Sequence, residues 1–167
     1  DLSDSGLTGE IPPEVGNLEN LTTLYLYNNQ LTGEIPSEIS NLENLTTLLL
    51  FGNQLSGEIP FEICNLENLT GLNFWNNQFS GLIPECIIDL PNISYLSLSS
   101  NQFIGSIPES IGNTNLTNLY LGNNQLSGII PGNICDLSID FYNNTYFNIN
   151  NNKFCPTYPE CLLGEEF

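Results

Sequence analysis

The sequence contains no histidine and no methionine, and Lys153 is the only basic residue among its 167 residues. Asp and Glu together number 19, so the formal net charge is −18 at pH 7. A chain with so little Lys and Arg lacks the basic surface that phosphate-backbone contacts require, which excludes nucleic acid as a partner. Because proton transfer would depend almost entirely on carboxylates, we do not expect an enzyme.

Long hydrophobic runs are also missing. No apolar stretch approaches the roughly 20 residues needed to span a bilayer, and the acidic charge disfavours docking on anionic lipid. We therefore expect no direct membrane insertion. The chain opens at Asp1 inside a repeat, which we interpret as a mature or trimmed fragment.

What the sequence does contain is self-similarity at a fixed period. Residues 17–40 and 41–64 read NLENLTTLYLYNNQLTGEIPSEIS and NLENLTTLLLFGNQLSGEIPFEIC, and the template recurs to give five full repeats of 23–24 residues over 17–135. Residues 1–16 form a partial first repeat, 136–154 a degenerate last repeat with an insertion before Phe147, and 155–167 a C-terminal cap. We predict one repeat domain over 1–167.

Each copy has the pattern Leu21-x-x-Leu24-x-Leu26-x-x-Asn29-x-Leu31. Its Leu-x-Leu core has the two-residue period of a strand with one buried face. One such strand cannot bury its apolar side alone, but stacked copies form a parallel sheet over a shared core. A ladder of Asn side chains can hydrogen-bond the turns of neighbouring copies, because each amide offers both donors and an acceptor. The stretch after Gly-x-Ile-Pro suits a short helical turn.

The full template, L-x-x-L-x-L-x-x-N-x-L-[ST]-G-x-I-P over residues 2–154, resembles the plant-specific class of leucine-rich repeats. Receptor-like kinase ectodomains, polygalacturonase-inhibiting proteins and related microbial surface proteins carry such repeats. The resemblance implies an α/β-type solenoid with a concave parallel β-sheet, a second short strand near Leu-Thr/Ser-Gly, and 3-10 or helical turns on the convex side. It also implies ligand binding through variable concave positions, with no cofactor. Residues 1–16 contain nothing like the cysteine-paired N-terminal cap of the plant proteins.

The non-leucine strand positions should point to the concave face, where they form rows because neighbouring parallel strands lie about 4.8 Å apart. One row aligns Tyr27, Phe51 and Trp75, which we expect to form an aromatic stripe. Contiguous apolar side chains on an exposed sheet mark interaction sites, whereas cross-strand packing that only stabilises the sheet is the alternative. The predicted ligand-binding residues are Tyr25, Tyr27, Leu49, Phe51, Asn73, Trp75, Tyr95 and Tyr120.

Acidic residues also recur in register. Like charges about 5 Å apart in water repel by less than about 1 kcal/mol per pair, so such rows can be a solvated face. Weak Ca²⁺ binding is the sharper alternative, but no Asp-rich calcium loop is present and no metal site is predicted. The rows are Glu10, Glu34 and Glu58; Glu14, Glu38 and Glu62; and Glu19, Glu43 and Glu67.

The five cysteines are odd in number, so at least one is unpaired within the chain. Cys155-Pro-Thr-Tyr-Pro-Glu-Cys161 predicts a disulfide between its two cysteines that staples the C-terminal cap, which implies an oxidising compartment. A zinc site is disfavoured because there is no histidine. Cys64 and Cys135 share one repeat position and are expected to be buried thiols. A bridge from Cys64 to Cys86 on the adjacent coil is the alternative.

The sequence also carries glycosylation sequons. They begin at Asn20, Asn44, Asn68, Asn92, Asn115 and Asn143. Five of them arise from the repeat template itself, so their number is a by-product of the repeat and does not predict that they are modified.

Three functions are consistent with these features. The first is a non-catalytic module at the cell surface or outside the cell that binds a protein or peptide through the concave face. The second is carbohydrate or surface adhesion, in which the aromatic stripe stacks on sugar rings. The third is a passive structural spacer within a larger adhesin.

Overall fold

The computed structural model describes residues 1–163; residues 164–167, the end of the predicted C-terminal cap, lie outside the described residues. The described strands are β1 (Thr8–Glu10), β2 (Thr23–Tyr25), β3 (Gln30–Gly33), β4 (Thr47–Leu49), β5 (Gln54–Gly57), β6 (Gly71–Asn73), β7 (Gln78–Phe79), β8 (Tyr95–Ser97), β9 (Asn118–Tyr120), β10 (Ser127–Gly128), β11 (Phe147–Asn148) and β12 (Lys153–Phe154). Each repeat therefore contributes up to two short strands, as an α/β-type leucine-rich-repeat solenoid requires.

All pairing between these strands is parallel. The strands β11-β9-β8-β6-β4-β2 form a six-stranded sheet, which we call the concave sheet. The strands β1-β3-β5-β7 form a second sheet, and β10 pairs with β12 beyond it. In the concave sheet Leu24 pairs with Leu48 and Leu48 with Leu72, so equivalent residues of successive repeats are neighbours. The predicted second strand near Leu-Thr/Ser-Gly is confirmed.

A short helical turn follows each Gly-x-Ile-Pro or equivalent segment. The 3-10 turns are Pro13–Asn17, Ser37–Asn41, Phe61–Asn65, Glu109–Asn113, Gly132–Asp136 and Glu160–Leu162, and Glu85–Ile88 forms one α-helical turn. A proline with φ between −74° and −54° and ψ between 124° and 147° precedes every one of them, as with Pro36 at φ −67° and ψ 140°. Proline suits this place because its fixed φ starts the turn and the missing N–H removes no bond there.

The core lies between the two sheets and the turns. Leu48 and Leu50 are fully buried, while Leu49 and Phe51 between and after them are half-buried. Burying one such leucine stabilises the fold by about 1.5–3 kcal/mol, but only a neighbouring coil can cover it. Phe74 and Phe79 replace two leucines of the template and are also fully buried, with ring centroids 5.2 Å apart.

The predicted asparagine ladder is confirmed. Asn53 donates from Nδ2 to the carbonyl oxygens of Leu50 on its own coil and Leu26 on the preceding coil, both at 2.9 Å. Its Oδ1 accepts the backbone N–H of Leu31 at 3.0 Å. The equivalent bonds recur at the other ladder positions, Asn29, Asn77, Asn101, Asn124 and Asn152. The ladder thus satisfies buried turn carbonyls that strand pairing leaves open.

The predicted disulfide between Cys155 and Cys161 is wrong. Cys161 pairs with Cys135, and Cys64 pairs with Cys86; in both pairs the Cα atoms are 5.6 Å apart. Each bridge joins the helical turns of two neighbouring coils. Because these turns are stacked, Cys135 and Cys161 lie close together despite a sequence separation of 26. The two expected buried thiols are therefore bridged. Cys155 is a free, exposed thiol, and its backbone N–H donates to the Gly128 carbonyl at 2.8 Å.

Candidate functional site

The eight predicted ligand-binding residues all lie on or next to the strands of the concave sheet. They alternate with buried leucines, and Tyr25 pairs in register with Leu49 and Leu49 with Asn73. The structure divides them into two neighbouring groups. Aromatic rings cluster on the N-terminal coils, and polar side chains surround a shallow pocket on the later coils.

The first group is a stack of rings, which we call the aromatic cluster: Tyr25, Tyr27, Phe51 and Trp75. The rings of Tyr27 and Phe51 are stacked at 4.5 Å with planes 5° apart. Trp75 continues the row, tilted by 40° at 6.1 Å from Phe51, and Tyr25 lies 6.3 Å from Tyr27. The predicted aromatic stripe of Tyr27, Phe51 and Trp75 is confirmed.

The aromatic cluster remains open to solvent at its C-terminal end. Trp75 is 44% exposed, whereas Tyr25, Tyr27 and Phe51 are half-buried by one another. Ring stacking accounts for part of the burial, as cross-strand aromatic pairs stabilise sheets. It does not cover the outer face of Trp75, so an apolar surface remains exposed to solvent.

Beyond Trp75 lies the second group, which we call the polar pocket. It is a cleft of about 260 Å³ lined by Asn73, Trp75, Tyr95, Ser97, Ser99, Tyr120, Asn123 and Asn148. Ser97 and Ser99 are buried and form the floor of the pocket. Earlier coils carry larger side chains at the equivalent positions, so the two small serine side chains leave a depression in the sheet surface. The lining carries no charged residue. The cleft is smaller than the roughly 300–1,000 Å³ of drug-sized ligand sites, so it suits one ring or one side chain.

Two asparagines of the polar pocket are held by bonds to the backbone. Asn73 Oδ1 accepts the N–H of Trp75 and Asn148 Oδ1 accepts the N–H of Asn150, both at 3.0 Å. Neither Nδ2 has an acceptor within residues 1–163. Because the oxygen of each amide is fixed, its NH₂ group is oriented as a free donor at the edge of the pocket.

Two tyrosines, Tyr95 and Tyr120, form the other side of the pocket. Their ring centroids are 5.6 Å apart. Burial raises the pKa of Tyr95, the Tyr120 hydroxyl raises it further, and a hydrogen bond with Ser97 partly lowers it again. Tyr120 donates to the Thr145 carbonyl and accepts from Asn118 Nδ2. The polar pocket therefore offers hydroxyl and amide groups but no charge.

Sequence reasoning missed four of the pocket residues. Ser97, Ser99, Asn123 and Asn148 line the cleft but were not among the predicted site residues. The sequence signal for these residues was a run of small side chains that follows a row of aromatic ones. Where the large side chains stop, the small ones leave a depression in the sheet surface. Leu49 is the predicted residue that contributes to neither ring stacking nor the pocket lining.

The acidic rows lie away from this site. The side chains of Glu10, Glu34 and Glu58 lie across Gly33, Gly57 and Gly81 of the next coil, where a β-carbon would come within 2.8, 2.7 and 2.7 Å of the glutamate Cγ. Within residues 1–163, His, Cys, Asp and Glu form no group of three or more that could hold a metal ion.

The sequon asparagines are partly engaged in the fold. Asn44, Asn68 and Asn92 donate from Nδ2 to the carbonyl of a glutamate on the preceding coil, at 2.9, 2.8 and 2.9 Å. In Asn143 the Oδ1 accepts the N–H of Thr145 at 2.9 Å. The repeat-derived sequon position thus has a structural role of its own.

Comparison with known proteins identifies the repeat. A family model described as leucine rich repeat matches residues 1–55, and a second of the same description matches residues 68–90, 92–114 and 115–137. A comparison with curated protein sequences gives no match. In residues 1–163 no helix combines the length and apolarity needed to cross a membrane.

Several solved structures similar to this chain are of plant proteins. The Arabidopsis receptor kinase HAESA, crystallised with the peptide hormone IDA and the co-receptor SERK1, is 36% identical with a TM-score of 0.79 over 88% of this chain. The ectodomain of the Arabidopsis thaliana receptor kinase GASSHO1/SCHENGEN3, in complex with CASPARIAN STRIP INTEGRITY FACTOR 2, is 34% identical with a TM-score of 0.71 over 93% of the chain. A plant ice-binding protein is 37% identical with a TM-score of 0.78 over 87% of the chain. The chain covers 24%, 21% and 47% of these three proteins, respectively.

Proposed function

The chain belongs to the leucine-rich-repeat family and carries its plant-type repeat, and from this premise we propose that it is a recognition module that binds a protein or peptide along its concave sheet. The receptor kinases HAESA and GASSHO1/SCHENGEN3, which share this fold, were crystallised with a peptide hormone and with CASPARIAN STRIP INTEGRITY FACTOR 2, respectively, which supports a protein or peptide partner. Because the ice-binding protein shares the fold, the surface of this chain has to carry the argument.

The aromatic cluster is the observation that carries the proposal. Stacking of Tyr27 on Phe51 leaves the 44% exposed ring of Trp75 facing solvent at the middle of the sheet. An aromatic surface of this kind costs free energy in water unless a partner covers it. Aromatic side chains are also the residues that most often dominate binding energy at interfaces. A partner would bury Trp75 and the outer edges of the rings beside it.

The chemistry of the face restricts the partner. The predicted binding residues on the concave sheet carry no charge: some are apolar and the others are polar. The free Nδ2 groups of Asn73 and Asn148 can donate hydrogen bonds. A peptide has carbonyl oxygens to accept such bonds and apolar side chains to cover the rings. The partner segment is therefore uncharged where it crosses the sheet, with an apolar residue seated against Trp75.

A random peptide library displayed on phage tests this proposal. The wild-type chain is expected to select peptides whose binding weakens at least tenfold in Phe51→Ala and in Trp75→Ala, with little change in thermal stability. Phe61→Ala is the matched control, because Phe61 is 71% exposed and lies outside the concave sheet. Peptides that bind both concave variants as tightly as the wild type would overturn the proposal.

The polar pocket favours a second candidate function, recognition of a neutral carbohydrate. A sugar ring can stack on Trp75 while its hydroxyl groups bond the amides and hydroxyls of the pocket, and no charged residue there would require an acidic or basic sugar. An array of neutral oligosaccharides tests this. Binding should be lost in Asn148→Ala and kept in Tyr27→Ala. If the array and the peptide library both give no ligand, a passive spacer becomes the better description.

We also propose an extracellular or cell-surface location. Two disulfides join adjacent coils, Cys64–Cys86 and Cys135–Cys161. Such bridges persist in oxidising compartments and are rare in the cytosol. Mass mapping of disulfide-linked peptides from the protein isolated from its natural source, with free thiols blocked at lysis, checks this; reduced Cys64 and Cys86 would argue against it.

A further inference from the structure

A second exposed apolar surface lies on the side of the solenoid, outside the concave sheet. It consists of Phe61, Leu82 and Ile104 on three successive coils, and we call it the lateral patch. We propose that the lateral patch binds a cationic amphipathic segment of another protein, whose apolar side chains cover the patch and whose Lys or Arg side chains meet Glu34 and Glu58. This partner site is independent of the concave face.

The three side chains are well exposed, at 71% for Phe61, 63% for Leu82 and 48% for Ile104. They line one cleft together, and Leu82 forms a parallel backbone bridge with Ile104. Single exposed apolar residues are common on proteins, but contiguous ones mark interaction sites. Three coils in succession place such residues here.

The patch arises where the repeat departs from its own template. Leu82 occupies the position of Glu10, Glu34 and Glu58, and it lies across Gly105 as Glu58 lies across Gly81. A β-carbon on Gly105 would come within 2.5 Å of Leu82 Cδ2. The backbone is thus the same as in the acidic coils, and only the chemistry of the row changes. The row turns from acidic to apolar at this coil.

Equivalent substitutions create the other two members. Ile104 stands where other coils have Thr32, Ser56 and Ser80, and it forms an isolated bridge with Leu82 outside the named strands. Phe61 follows Pro60 at the start of a 3-10 turn, where the preceding coil has Ser37. None of the three substitutions adds to the buried core, because all three side chains face solvent.

The acidic side chains beside the lateral patch indicate which kind of partner would bind there. Glu34 and Glu58 line the same cleft as the apolar side chains, and within residues 1–163 neither has an ion-pair partner. Lys153, the only basic residue, donates to Gln125 Oε1 at 3.2 Å on a distant coil. A second copy of this chain would place glutamates against glutamates, at a net charge of −18 for each copy. A cationic segment would instead complement both the apolar stripe and its acidic border.

Three synthetic 18-residue helical peptides serve as probes. One has a Leu face and a Lys face, one has Glu in place of Lys, and one has Ser in place of Leu. We expect only the Leu/Lys peptide to bind tightly, with amide shifts in ¹⁵N-¹H NMR spectra centred on Leu82 and Ile104. Equal affinity of the Ser/Lys probe would mean that long-range charge alone holds the peptide, and the proposal would then fail.

Variants of the chain separate the two contributions. Leu82→Ser/Ile104→Ser keeps every charge and should weaken binding of the Leu/Lys peptide at least tenfold, and Phe61→Ser alone should also weaken it. Glu34→Gln/Glu58→Gln should weaken it as well, whereas Trp75→Ala should not. Unchanged affinity of Leu82→Ser/Ile104→Ser, or amide shifts centred on the concave sheet, would overturn the proposal. So would sedimentation showing a wild-type dimer that this double variant loses, since the occupant would then be a second copy.

Discussion

Glu58 lies across Gly81 of the next coil so closely that a β-carbon on Gly81 would be 2.7 Å from Glu58 Cγ. Gly81 also has a φ of +77°, a conformation that side-chain-bearing residues rarely adopt. The positive φ is what favours glycine here, and the contact with the flexible Glu58 side chain adds only a small penalty for any larger residue. The same pairing recurs between Glu10 and Gly33 and between Leu82 and Gly105, so it belongs to the repeat and not to one coil.

Gly81→Ala is expected to destabilise the fold. Alanine at positive φ costs about 1–2 kcal/mol, and moving the flexible Glu58 side chain adds little. Gly128→Ala isolates the backbone contribution, because its φ is +83° but a β-carbon would meet Ser106 only at 3.5 Å. Gly132→Ala is the control, since a β-carbon added there would have nothing within 4 Å. Urea unfolding followed by circular dichroism measures all three, and equal stability of Gly81→Ala and Gly132→Ala would contradict the prediction.

Asn53→Ala should lower the free energy of unfolding by more than an ordinary surface substitution does. The substitution leaves the buried N–H of Leu31 without its bond, and it removes one of the two amide donors of the Leu26 and Leu50 carbonyls, which keep Asn29 Nδ2 and Asn77 Nδ2, respectively. One unsatisfied buried group costs about 1–3 kcal/mol, so a loss of about 1–3 kcal/mol in unfolding free energy is expected. Asn44→Ala removes one exposed bond and should cost less than about 1 kcal/mol. Thermal unfolding measures the loss of stability in both variants. Similar losses would mean that a ladder asparagine contributes no more to stability than an exposed asparagine.

Ser100→Asn should stabilise the protein. Ser100 has a φ of +57°, and the equivalent residues of other coils are Asn28, Gly52, Asn76 and Asn123, types that tolerate this conformation better. Asn151 Nδ2 donates to Asn123 Oδ1 on the neighbouring coil at 2.7 Å. The new asparagine side chain can form a bond of the same kind with Asn123, which would continue this row of side-chain hydrogen bonds. A gain of up to about 1 kcal/mol is expected. Ser138→Asn, an exposed change without positive φ, should leave the unfolding midpoint unchanged.

Thiol titration tests the cysteine pairing. The native chain should react with one equivalent of Ellman's reagent, at Cys155, and the same single equivalent should react after unfolding without reductant. Cys155→Ser should show no reactive thiol in either state, because the remaining four cysteines are bridged. Reactive thiols in that variant would show that at least one of the two bridges, Cys64–Cys86 or Cys135–Cys161, is not formed.

The period of the repeat made most of the fold predictable. Once copies are aligned, Leu48 must stack on Leu24 and Phe51 on Tyr27, because neighbouring parallel strands share one register. The asparagine ladder follows from the same argument. No long-range information beyond the repeat was needed for these features.

The errors arose where the repeat is interrupted or changes chemistry. The short spacing between Cys155 and Cys161 suggested a local bridge, but the insertion in the last copy hid that Cys161 stacks on Cys135. The polar pocket depends on small side chains, Ser97 and Ser99, whose significance lies in what neighbouring coils carry. Such features are differences between copies, and a template that records what copies share does not reveal them.

The reach of each ladder asparagine bears on how this protein can change over evolutionary time. Asn53 bonds its own coil and the one before it, and the same holds for Asn77 and Asn124. An in-frame duplication of one repeat's coding sequence would supply a new coil whose asparagine finds the same two sets of partners. A deletion of the same unit would rejoin the ladder without a gap. Descendants of this gene can therefore lengthen or shorten by whole coils, while their surfaces diverge row by row.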